Sequence, residues 1–291
     1  MPTVYLIDAS PYIFRAYYSL PVSITTPDGH PASAVYGFTD FLIQIVKRAA
    51  PSHVAVAFDG SLTTSFRNDI YPEYKAQRAL PPPELEAQQR WCLQAAEALG
   101  MATFIDDRFE ADDLIATLVA QLEGHERVVV SSDKDLAQLV SPEVTVWDFA
   151  RDRRYDVATV HDHFGVAPEQ IVDLLALMGD AVDNIPGVKG IGPKTATALL
   201  RAFGSLEELY ARLEAGEAPE VRGARSVVER LLANREIAFL SQRLATLSCE
   251  APVRVELEML QYDGAVRAEV EPLFTRFGFE RILARIPLWQ S

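Results

Sequence analysis

Carboxylates are the residues whose type and spacing could support chemistry in this sequence of 291 residues. Seven of them come from four separated segments, and each segment places its acids after an apolar run or at the start of a predicted helix. They are Asp8, Asp59, Glu110, Asp112, Asp113, Asp133 and Asp135. Crowded carboxylates repel one another unless they are protonated or bridged by cations. Oxygen ligands without histidine or cysteine favour Mg²⁺ or Mn²⁺ over zinc, and two such ions could activate water and stabilise the leaving oxygen of a phosphodiester.

Each acid taken alone also has a simpler interpretation. Asp and Glu favour helix N-termini, where they cap free N–H groups and meet the positive end of the dipole. Glu110-Ala111-Asp112-Asp113 and Asp133-Lys134-Asp135 stand at such positions, while Asp8 and Asp59 could be turn residues. The convergence of all seven on one edge of a predicted sheet favours a shared metal cluster over these separate explanations.

The elements that must position these acids are strands and helices in alternation. Short apolar, β-rich runs lead into Asp8, Asp59, Asp106 and Ser131-Ser132-Asp133, with helical patterns between them. Such runs predict an α/β fold with a mostly parallel sheet covered by helices on both faces. Ligands of these sheets bind beyond the carboxyl ends of the strands, which is where the acids fall.

Two segments depart from this alternation. Residues 61–92 contain a polar, basic and aromatic stretch followed by three prolines, which indicates an arch inserted into the sheet domain. From about residue 170 the pattern becomes nearly all helical. We therefore predict an α/β core over residues 1–172 and a helical domain over residues 173–291, whose C-terminal tail packs back.

The helical domain contains a second motif, Gly187-Val188-Lys189-Gly190-Ile191-Gly192-Pro193-Lys194-Thr195-Ala196. It predicts a helix-hairpin-helix at about residues 185–200, because paired glycines allow a tight turn and proline suits a first helical turn. Free N–H groups there can receive a phosphate oxygen, although a plain inter-helix turn is the alternative. Asp180 and Asp183, spaced i, i+3, could point one helix face towards the acidic cluster.

Composition sets the remaining bounds. Apolar residues make up 49% and charged residues 23% of the chain, which are ordinary globular values. The net charge of −14 argues against a polyanionic partner, but without nine clustered acids it becomes −14 + 9 = −5, and two divalent ions would offset four more charges. Two cysteines are too few for a disulfide framework. With no signal peptide and no apolar run of about 18 residues, we expect a cytoplasmic monomer without membrane association.

The motifs together resemble one family over essentially the whole chain: the 5′ nucleases that include flap endonucleases and the N-terminal nuclease domain of bacterial DNA polymerase I. They occur in the family's order with matching spacing: Tyr5-Leu6-Ile7-Asp8, Ala34-Val35-Tyr36-Gly37-Phe38, Phe58-Asp59, Ser65-Phe66-Arg67, Tyr74-Lys75-Ala76-Gln77-Arg78, Glu110-Ala111-Asp112-Asp113, Ser132-Asp133-Lys134-Asp135-Leu136 and Asp183-Asn184-Ile185-Pro186-Gly187-Val188-Lys189-Gly190-Ile191-Gly192. Ser132 and Val182 depart from the usual glycine and serine without removing a ligand. Because the chain is too short to include a polymerase domain, we expect a stand-alone nuclease or a chain truncated to the nuclease domain.

The resemblance implies a PIN-like sheet, a helical arch and a helix-hairpin-helix (H3TH) domain. The implied activity is that of a structure-specific 5′-3′ exonuclease and flap endonuclease that hydrolyses DNA by a two-metal mechanism, in primer or flap processing during replication and repair. Its partners would be DNA with 5′ ends, flaps or branches, including RNA–DNA primer junctions. Two Mg²⁺ ions, replaceable by Mn²⁺, would be held by nine acids, of which Asp180 and Asp183 complete the second metal site after the seven above. A potassium ion is implied at the hairpin carbonyls.

The same resemblance implies particular roles for individual side chains. Lys75 would approach the scissile phosphate and act in catalysis with Asp8, Asp133 and Asp135. Tyr74 would stack on an unpaired base, and the alternative for this residue is a half-buried aromatic side chain of the arch. Phosphates would be gripped by Arg15, Arg67 and Arg78, and the duplex backbone would be held by Gly187, Lys189, Gly190, Gly192, Lys194 and Thr195.

Two other classes of protein fit part of the pattern. A ribonuclease of the PIN type has a similar sheet and acidic cluster, but such domains are commonly smaller and lack the hairpin over residues 180–196. A non-catalytic, structure-specific DNA-binding protein of the same fold predicts missing acids or a missing Lys75, and all are present.

Overall fold

A mostly parallel sheet forms the centre of the computed structural model, which describes residues 2–61 and 63–290. Its strands are β1 Thr3–Asp8, β2 His53–Asp59, β3 Ala102–Asp106, β4 Glu126–Val130, β5 Val144–Asp148 and β6 Arg153–Tyr155. They lie in the order β3-β2-β1-β4-β5-β6. Neighbouring strands are parallel except for the antiparallel pair β5 and β6.

Helices surround the sheet and then take over the chain. The first group is α1 Ser10–Ser19, α2 Ser33–Ala49, α3 Arg67–Ile70, α4 Pro83–Ala98, α5 Ala111–Gln121 and α6 Val157–Phe164, with 3-10 turns at Asp135–Leu139 and Pro168–Gln170. The second group is α7 Ile171–Met178, α8 Pro193–Phe203, α9 Leu206–Glu214, α10 Ala224–Ala233, α11 Arg235–Ala245, α12 Arg267–Phe277 and α13 Glu280–Leu283, with a 3-10 turn at Leu257–Leu260. Within residues 2–61 and 63–290, no helix is long and apolar enough to cross a membrane.

The central strands are apolar on both faces, as expected for a parallel sheet that is covered twice. Leu6 and Ala55 join a core shared with α5 and the helical region. Their neighbours Ile7 and Val56 point the other way, into a core shared with α1, α2 and α4. The predicted fold class, a mostly parallel α/β sheet followed by a helical region, is therefore confirmed.

The strand order brings the carboxyl ends of β1, β2 and β4 to one edge. β1 lies between β2 and β4: the chain runs from β1 through β2 to β3 on one side and then crosses over to β4 on the other side. Open α/β sheets bind ligands at this point of reversal. In the register, Asp8 lies beside Ala57, and Ile7 lies beside Val130. The ends of these three strands thus share one position in space.

Two predicted boundaries differ from those in the structure. The arch was expected over residues 61–92, but α4 begins at Pro83, a residue suited to a first helical turn, and it buries Leu85 and Cys92 against the core. In the described part of the chain, the segment that departs from the α/β pattern therefore comprises residues 61 and 63–82. The boundary expected between residues 172 and 173 falls inside α7, whose apolar side chains join the same core as Leu6.

The C-terminal segment returns to the N-terminal half. Val270, Phe274 and Phe277 are buried in the core that contains Phe38 and Phe58. The backbone N–H of Val266 donates to the carbonyl of Ala98 at 3.0 Å. This tail therefore closes the face of the sheet opposite the helical region.

Candidate active site

A cleft of about 360 Å³ opens at the carboxyl ends of β1, β2 and β4. It brings together five of the nine acids predicted to bind metal, and they face Lys75 and Arg78 from the arch. The lining residues are Asp8, Ser10, Pro11, Phe14, Tyr18, Asp59, Ser61, Lys75, Arg78, Ala79, Pro81, Glu110, Ala111, Asp112 and Asp133. Carboxylates from four separate segments thus meet in one place, whereas Asp113, Asp135, Asp180 and Asp183 lie outside this lining.

Hydroxyl groups and helix N–H groups orient the two acids at the strand ends. Ser131 Oγ donates to Asp8 Oδ2 at 2.7 Å, and the Ser10 hydroxyl donates to Asp59. The N–H of Ala111, at the start of α5, donates to Asp59 Oδ1 at 2.8 Å. Burial, together with the charge of Asp59, raises the pKa of Asp8 well above its usual range. The sequence reasoning missed Ser10 and Ser131, although both follow strands that end at this edge.

Three further acids form the other side of the cluster. Burial and the charges of Asp8 and Asp133 raise the pKa of Asp112 well above its usual range. Burial likewise raises the pKa of Asp133, although Asp133 accepts a hydrogen bond from the N–H of Asp135 at 2.9 Å. Asp135 lies in a 3-10 turn rather than the predicted helix, and burial and the charge of Asp133 raise its pKa to about 8. Its Oδ1 is buried without a hydrogen-bond partner among the described residues.

The nine acids divide into two sets by their partners. Four pair with cations of the protein itself: Glu110 with Lys75 and Arg67, Asp113 with Arg67, Asp183 with Lys75 and Arg78, and Asp180 with Lys134. Within the described residues, no ion pair involves the other five, which are Asp8, Asp59, Asp112, Asp133 and Asp135. Within the described residues, these five carboxyl groups therefore have no cation of the protein in direct contact.

Arg67 is not placed to grip a phosphate, which corrects the expectation from the sequence. Its side chain is 2% exposed, and its two Nη atoms donate to the carboxylate of Asp113 at 2.7 and 2.8 Å. Nε donates to the carbonyl of Leu244 at 2.9 Å, and Nη2 also donates to that of Thr246 at 3.0 Å. The hydrogen bonds and charge of Asp113 raise the pKa of Arg67 although burial would lower it. Arg67 therefore joins the arch base to the helical region.

Asp113 is correspondingly removed from the set of accessible metal ligands. It is 0% exposed, and both of its oxygens accept from Arg67. The N–H of Ser248 donates to Oδ1 at 2.8 Å, and that of Glu110 donates to Oδ2 at 3.2 Å. The predicted ligand Asp113 is thus a structural carboxylate in this structure, whereas its neighbour Asp112 lines the cleft.

Tyr74 is also not exposed as a stacking surface, contrary to the expectation. It is 3% exposed, and its hydroxyl lies 3.0 Å from Glu110 Oε2 and 3.1 Å from Asp183 Oδ2. Its ring packs into the core that contains Ala111. The exposed aromatic side chain at the cleft is Tyr18 of α1, which the sequence reasoning did not single out.

The arch segment 73–78 is held against the turn at residues 181–184. Lys75 has a left-handed backbone with a φ of 56°, and its N–H donates to the carbonyl of Asp183 at 3.1 Å. Gln77 Nε2 donates to the carbonyls of residues 181 and 182, and Asn184 Nδ2 donates to that of Glu73. The charges of Glu110 and Asp183 raise the pKa of Lys75 well above its usual range although burial would lower it. The arch lysine is thereby fixed, fully charged, at the cleft.

The other arginines predicted to contact DNA differ in position. Arg78 lines the cleft, and its Nη2 lies 2.5 Å from Asp183 Oδ1. Arg15 is exposed on α1 but lines a separate groove with Tyr36 and Phe149. Any contact between Arg15 and a DNA strand would therefore lie outside the cleft.

The hairpin lies between α7 and α8. Gly187 has a φ of 60°, and a Cβ atom there would come within 2.2 Å of the Gly179 nitrogen, so both the backbone angle and the close approach require glycine. Lys189 is exposed on this turn, and Lys194 is exposed in the first turn of α8, which begins directly after Gly192. Of the other predicted hairpin residues, Gly190 lies on this turn and Thr195 lies in the first turn of α8.

The donor set suits a hard divalent cation. In the described part of the chain, no three carboxyl, imidazole or thiol groups are already arranged as a ligand set. The carboxylates instead turn towards hydroxyls, N–H groups and cations, since like charges stay apart. The five acids without an ion pair nevertheless offer only oxygen atoms as ligands. One of these atoms, Asp135 Oδ1, accepts no hydrogen bond within the described residues. These features fit Mg²⁺ or Mn²⁺.

Comparison with known proteins agrees with this architecture. The family model described as the N-terminal resolvase-like domain of 5′-3′ exonucleases matches residues 3–165, and that described as their C-terminal SAM fold matches residues 166–268. DNA polymerase I of Bacillus caldotenax is 41% identical over 288 residues, and DNA polymerase I of Pseudomonas aeruginosa is 42% identical over 281. These alignments cover 97% and 96% of this chain but only 32% and 31% of the relatives, so the chain spans about a third of their length.

Solved structures show the same fold. A structure of the T5 5′-exonuclease with bound divalent zinc ions superposes with a TM-score of 0.70 at 23% identity, covering 97% of this chain and 98% of that chain. A complex of the bacteriophage T5 flap endonuclease with DNA and metal ions gives 0.68 at 24% identity and covers 97% and 98%. The catalytic core of Rad2 in complex with DNA substrate gives 0.59 at 14% and covers 97% and 91%.

Proposed function

Because the chain belongs to the 5′-3′ exonuclease family, we propose that it is a structure-specific 5′ nuclease that hydrolyses the phosphodiester bonds of DNA. The observation that carries the proposal is the cleft in which carboxylates from four chain segments face Lys75. Hydrolysis joins a water oxygen to phosphorus and breaks the bond to the 3′ oxygen, which leaves a 5′-phosphate and a 3′-hydroxyl. No protein nucleophile is required.

We propose that the five acids without an ion pair, Asp8, Asp59, Asp112, Asp133 and Asp135, hold two Mg²⁺ ions, for which Mn²⁺ substitutes. Bound divalent ions activate water and stabilise charge on the leaving oxygen. Glu110, Asp180 and Asp183 can join this set only by exchanging the protein cations that they now contact. Asp113 is left out because both its oxygens belong to Arg67.

The chain's own cations have two roles in this proposal. Lys75 is held at the cleft by the Glu110 carboxylate and by the backbone of Asp183. A phosphate entering the cleft would meet this fixed ammonium, which neutralises negative charge that develops during cleavage. Arg78 would contact the adjacent phosphate.

The hairpin and the shape of the DNA determine where the cut falls. Lys189, Lys194 and the N–H groups of the turn would hold the duplex through its backbone, which positions the DNA without reading its bases. The preferred substrates would therefore be DNA with 5′ ends, flaps or branches, including RNA–DNA primer junctions. Such activity suits primer and flap processing in replication and repair.

A product-mapped digest tests the proposal. A DNA flap labelled at its 5′ end is incubated with the protein in Mg²⁺, in Mn²⁺ or in EDTA, and the products are sized on a denaturing gel. We expect a cut near the junction of single and double strands with either metal ion and none in EDTA. Cutting that persists in EDTA would contradict the metal assignment.

A matched RNA substrate separates this proposal from the alternatives. Faster cleavage of single-stranded RNA than of the DNA flap would favour a ribonuclease of the PIN type. Tight flap binding with no cleavage in either metal ion would favour a non-catalytic DNA-binding protein.

A further inference from the structure

A positively charged side chain of the protein itself lies against the hairpin. Arg230, on α10, donates from Nη1 to the carbonyl of Gly190 at 3.2 Å. A Cβ atom on Gly190 would lie 2.8 Å from that same Nη1 and 3.2 Å from Cζ, so the guanidinium rests directly on this glycine. The turn accommodates the arginine because Gly190 has no side chain and has a φ of 83°.

Arg230 is held in this place by the packing of its helix. Val227 and Leu231, on either side of it in the sequence, are buried in the core that contains Ile191 of the hairpin. The side chains on both sides of Arg230 in the sequence thus belong to the same core as a hairpin residue. In the described part of the chain Arg230 forms no ion pair with a carboxylate, so its charge is not neutralised.

This arrangement disagrees with a potassium ion at the hairpin carbonyls. The Gly190 carbonyl accepts from Arg230, the Val188 carbonyl accepts from the N–H of Ile191 at 3.0 Å, and the Gly192 carbonyl accepts from the N–H of Thr195 at 3.0 Å. A monovalent cation would also stand beside the guanidinium, and like charges repel. Each carbonyl keeps a second lone pair, so the guanidinium on the Gly190 carbonyl is the feature that does not fit the ion implied by the family resemblance.

We propose that Arg230 supplies the fixed positive charge of the hairpin in place of a potassium ion, and that it contacts a backbone phosphate of the bound duplex. The inference rests on the proposed function, because it needs the hairpin to bind DNA. Arg230 then acts together with Lys189 and Lys194, which are also exposed. Binding should be indifferent to the identity of the monovalent cation.

DNA affinity tests this directly, without cleavage. Binding of a fluorescent 5′-flap duplex is measured by anisotropy in EDTA, at equal ionic strength in KCl and in choline chloride. We expect the wild-type Kd to be equal in the two salts. Arg230→Ala should raise Kd by about 5–10-fold and reduce the slope of log Kd against log salt by about 0.9, the value for one lost phosphate contact. Arg230→Lys should recover most of the affinity.

Arg225 offers a matched control on the same helix. Its side chain is 94% exposed and pairs with Glu229, so Arg225→Ala removes the same charge from α10 without touching the hairpin. A Kd and salt slope for Arg230→Ala equal to those of Arg225→Ala, with all variants showing wild-type circular dichroism, would overturn the inference. So would a wild-type Kd that rises strongly when choline replaces potassium. A wild-type protein that binds no flap in either salt would overturn the proposed function as well.

Discussion

The buried pair of Arg67 and Asp113 provides the sharpest test of how this site is built. Arg67→Met keeps most of the side-chain volume but removes the donors that satisfy Asp113, which is 0% exposed. Removing one partner of a buried pair costs about 3–5 kcal/mol, because the other charge remains buried without compensation. Against a total stability of about 5–15 kcal/mol for a typical domain, this loss is large. Asp113→Leu should cost a similar amount.

The double variant separates a coupled pair from two independent defects. If the two substitutions were independent, their costs would add to about 6–10 kcal/mol. Replacing both charges with apolar side chains removes the charge imbalance. It leaves four backbone groups without these partners, namely the carbonyls of Leu244 and Thr246 and the N–H groups of Ser248 and Glu110. At about 1 kcal/mol each, these four groups predict a cost of about 4 kcal/mol for the double variant, below the sum expected for independent substitutions.

The measurement is urea unfolding followed by far-ultraviolet circular dichroism, with flap affinity measured in parallel. Arg108 and Asp69 form a nearby pair whose side chains are both 66% exposed, at 2.5 Å, so Arg108→Met should cost at most about 1 kcal/mol. An Arg67→Met variant of near-normal stability that had lost flap affinity would refute the structural assignment and restore the phosphate-gripping role expected from the sequence.

Three further predictions concern the cleft and the hairpin. Lys75→Ala should slow single-turnover cleavage by at least about 100-fold, the scale of losing one electrostatic contact to developing charge, as measured by rapid quench with saturating enzyme. Asp135→Asn should abolish cleavage in Mg²⁺ while flap affinity in EDTA stays within about threefold, because it removes one charge among metal-binding acids. Gly187→Ala should lower the free energy of unfolding by about 2–4 kcal/mol, because it combines a strained φ of 60° with a Cβ atom 2.2 Å from Gly179.

Each of these predictions has a control and an outcome against it. Lys47 is exposed on α2, so Lys47→Ala should cleave normally; an unchanged rate for Lys75→Ala would show that Lys75 is not catalytic. Normal turnover by Asp135→Asn in Mg²⁺ would remove Asp135 from the metal site. Gly216 has a φ of 85° and nothing within 4 Å of an added Cβ, so Gly216→Ala measures the backbone strain alone, and equal costs at both glycines would discount the close approach at Gly187.

The sheet and the position of the acids were predictable because both depend on local pattern. Apolar runs that end in Asp8 and Asp59 became β1 and β2, and parallel pairing placed their carboxyl ends together. The arch was less well predicted, since the three prolines were included in it although Pro83, the last of them, opens a helix, as proline commonly does. The short strand β6 has only three residues and was not predicted.

The interior roles of Arg67 and Tyr74 could not be predicted, because they depend on partners distant in the sequence. An arginine side chain is usually exposed. Arg67 can be buried because it pairs with Asp113, which lies 46 residues away in the sequence. Asp112 and Asp113 were both taken as ligands, yet successive residues of a helix point about 100° apart. Only one of these two side chains lines the cleft, and the sequence alone did not indicate which one.

The distribution of charge explains how an acidic protein could hold DNA. Nine acids and four cations of the site, Arg67, Lys75, Arg78 and Lys134, give −9 + 4 = −5, so the rest of the chain carries −14 + 5 = −9. Two divalent ions would nearly neutralise the site but would leave that remainder unchanged. The overall field therefore repels a polyanion. Affinity must come from short-range contacts such as those of Lys189, Lys194 and Arg230, and it should fall steeply as salt competes for the phosphates.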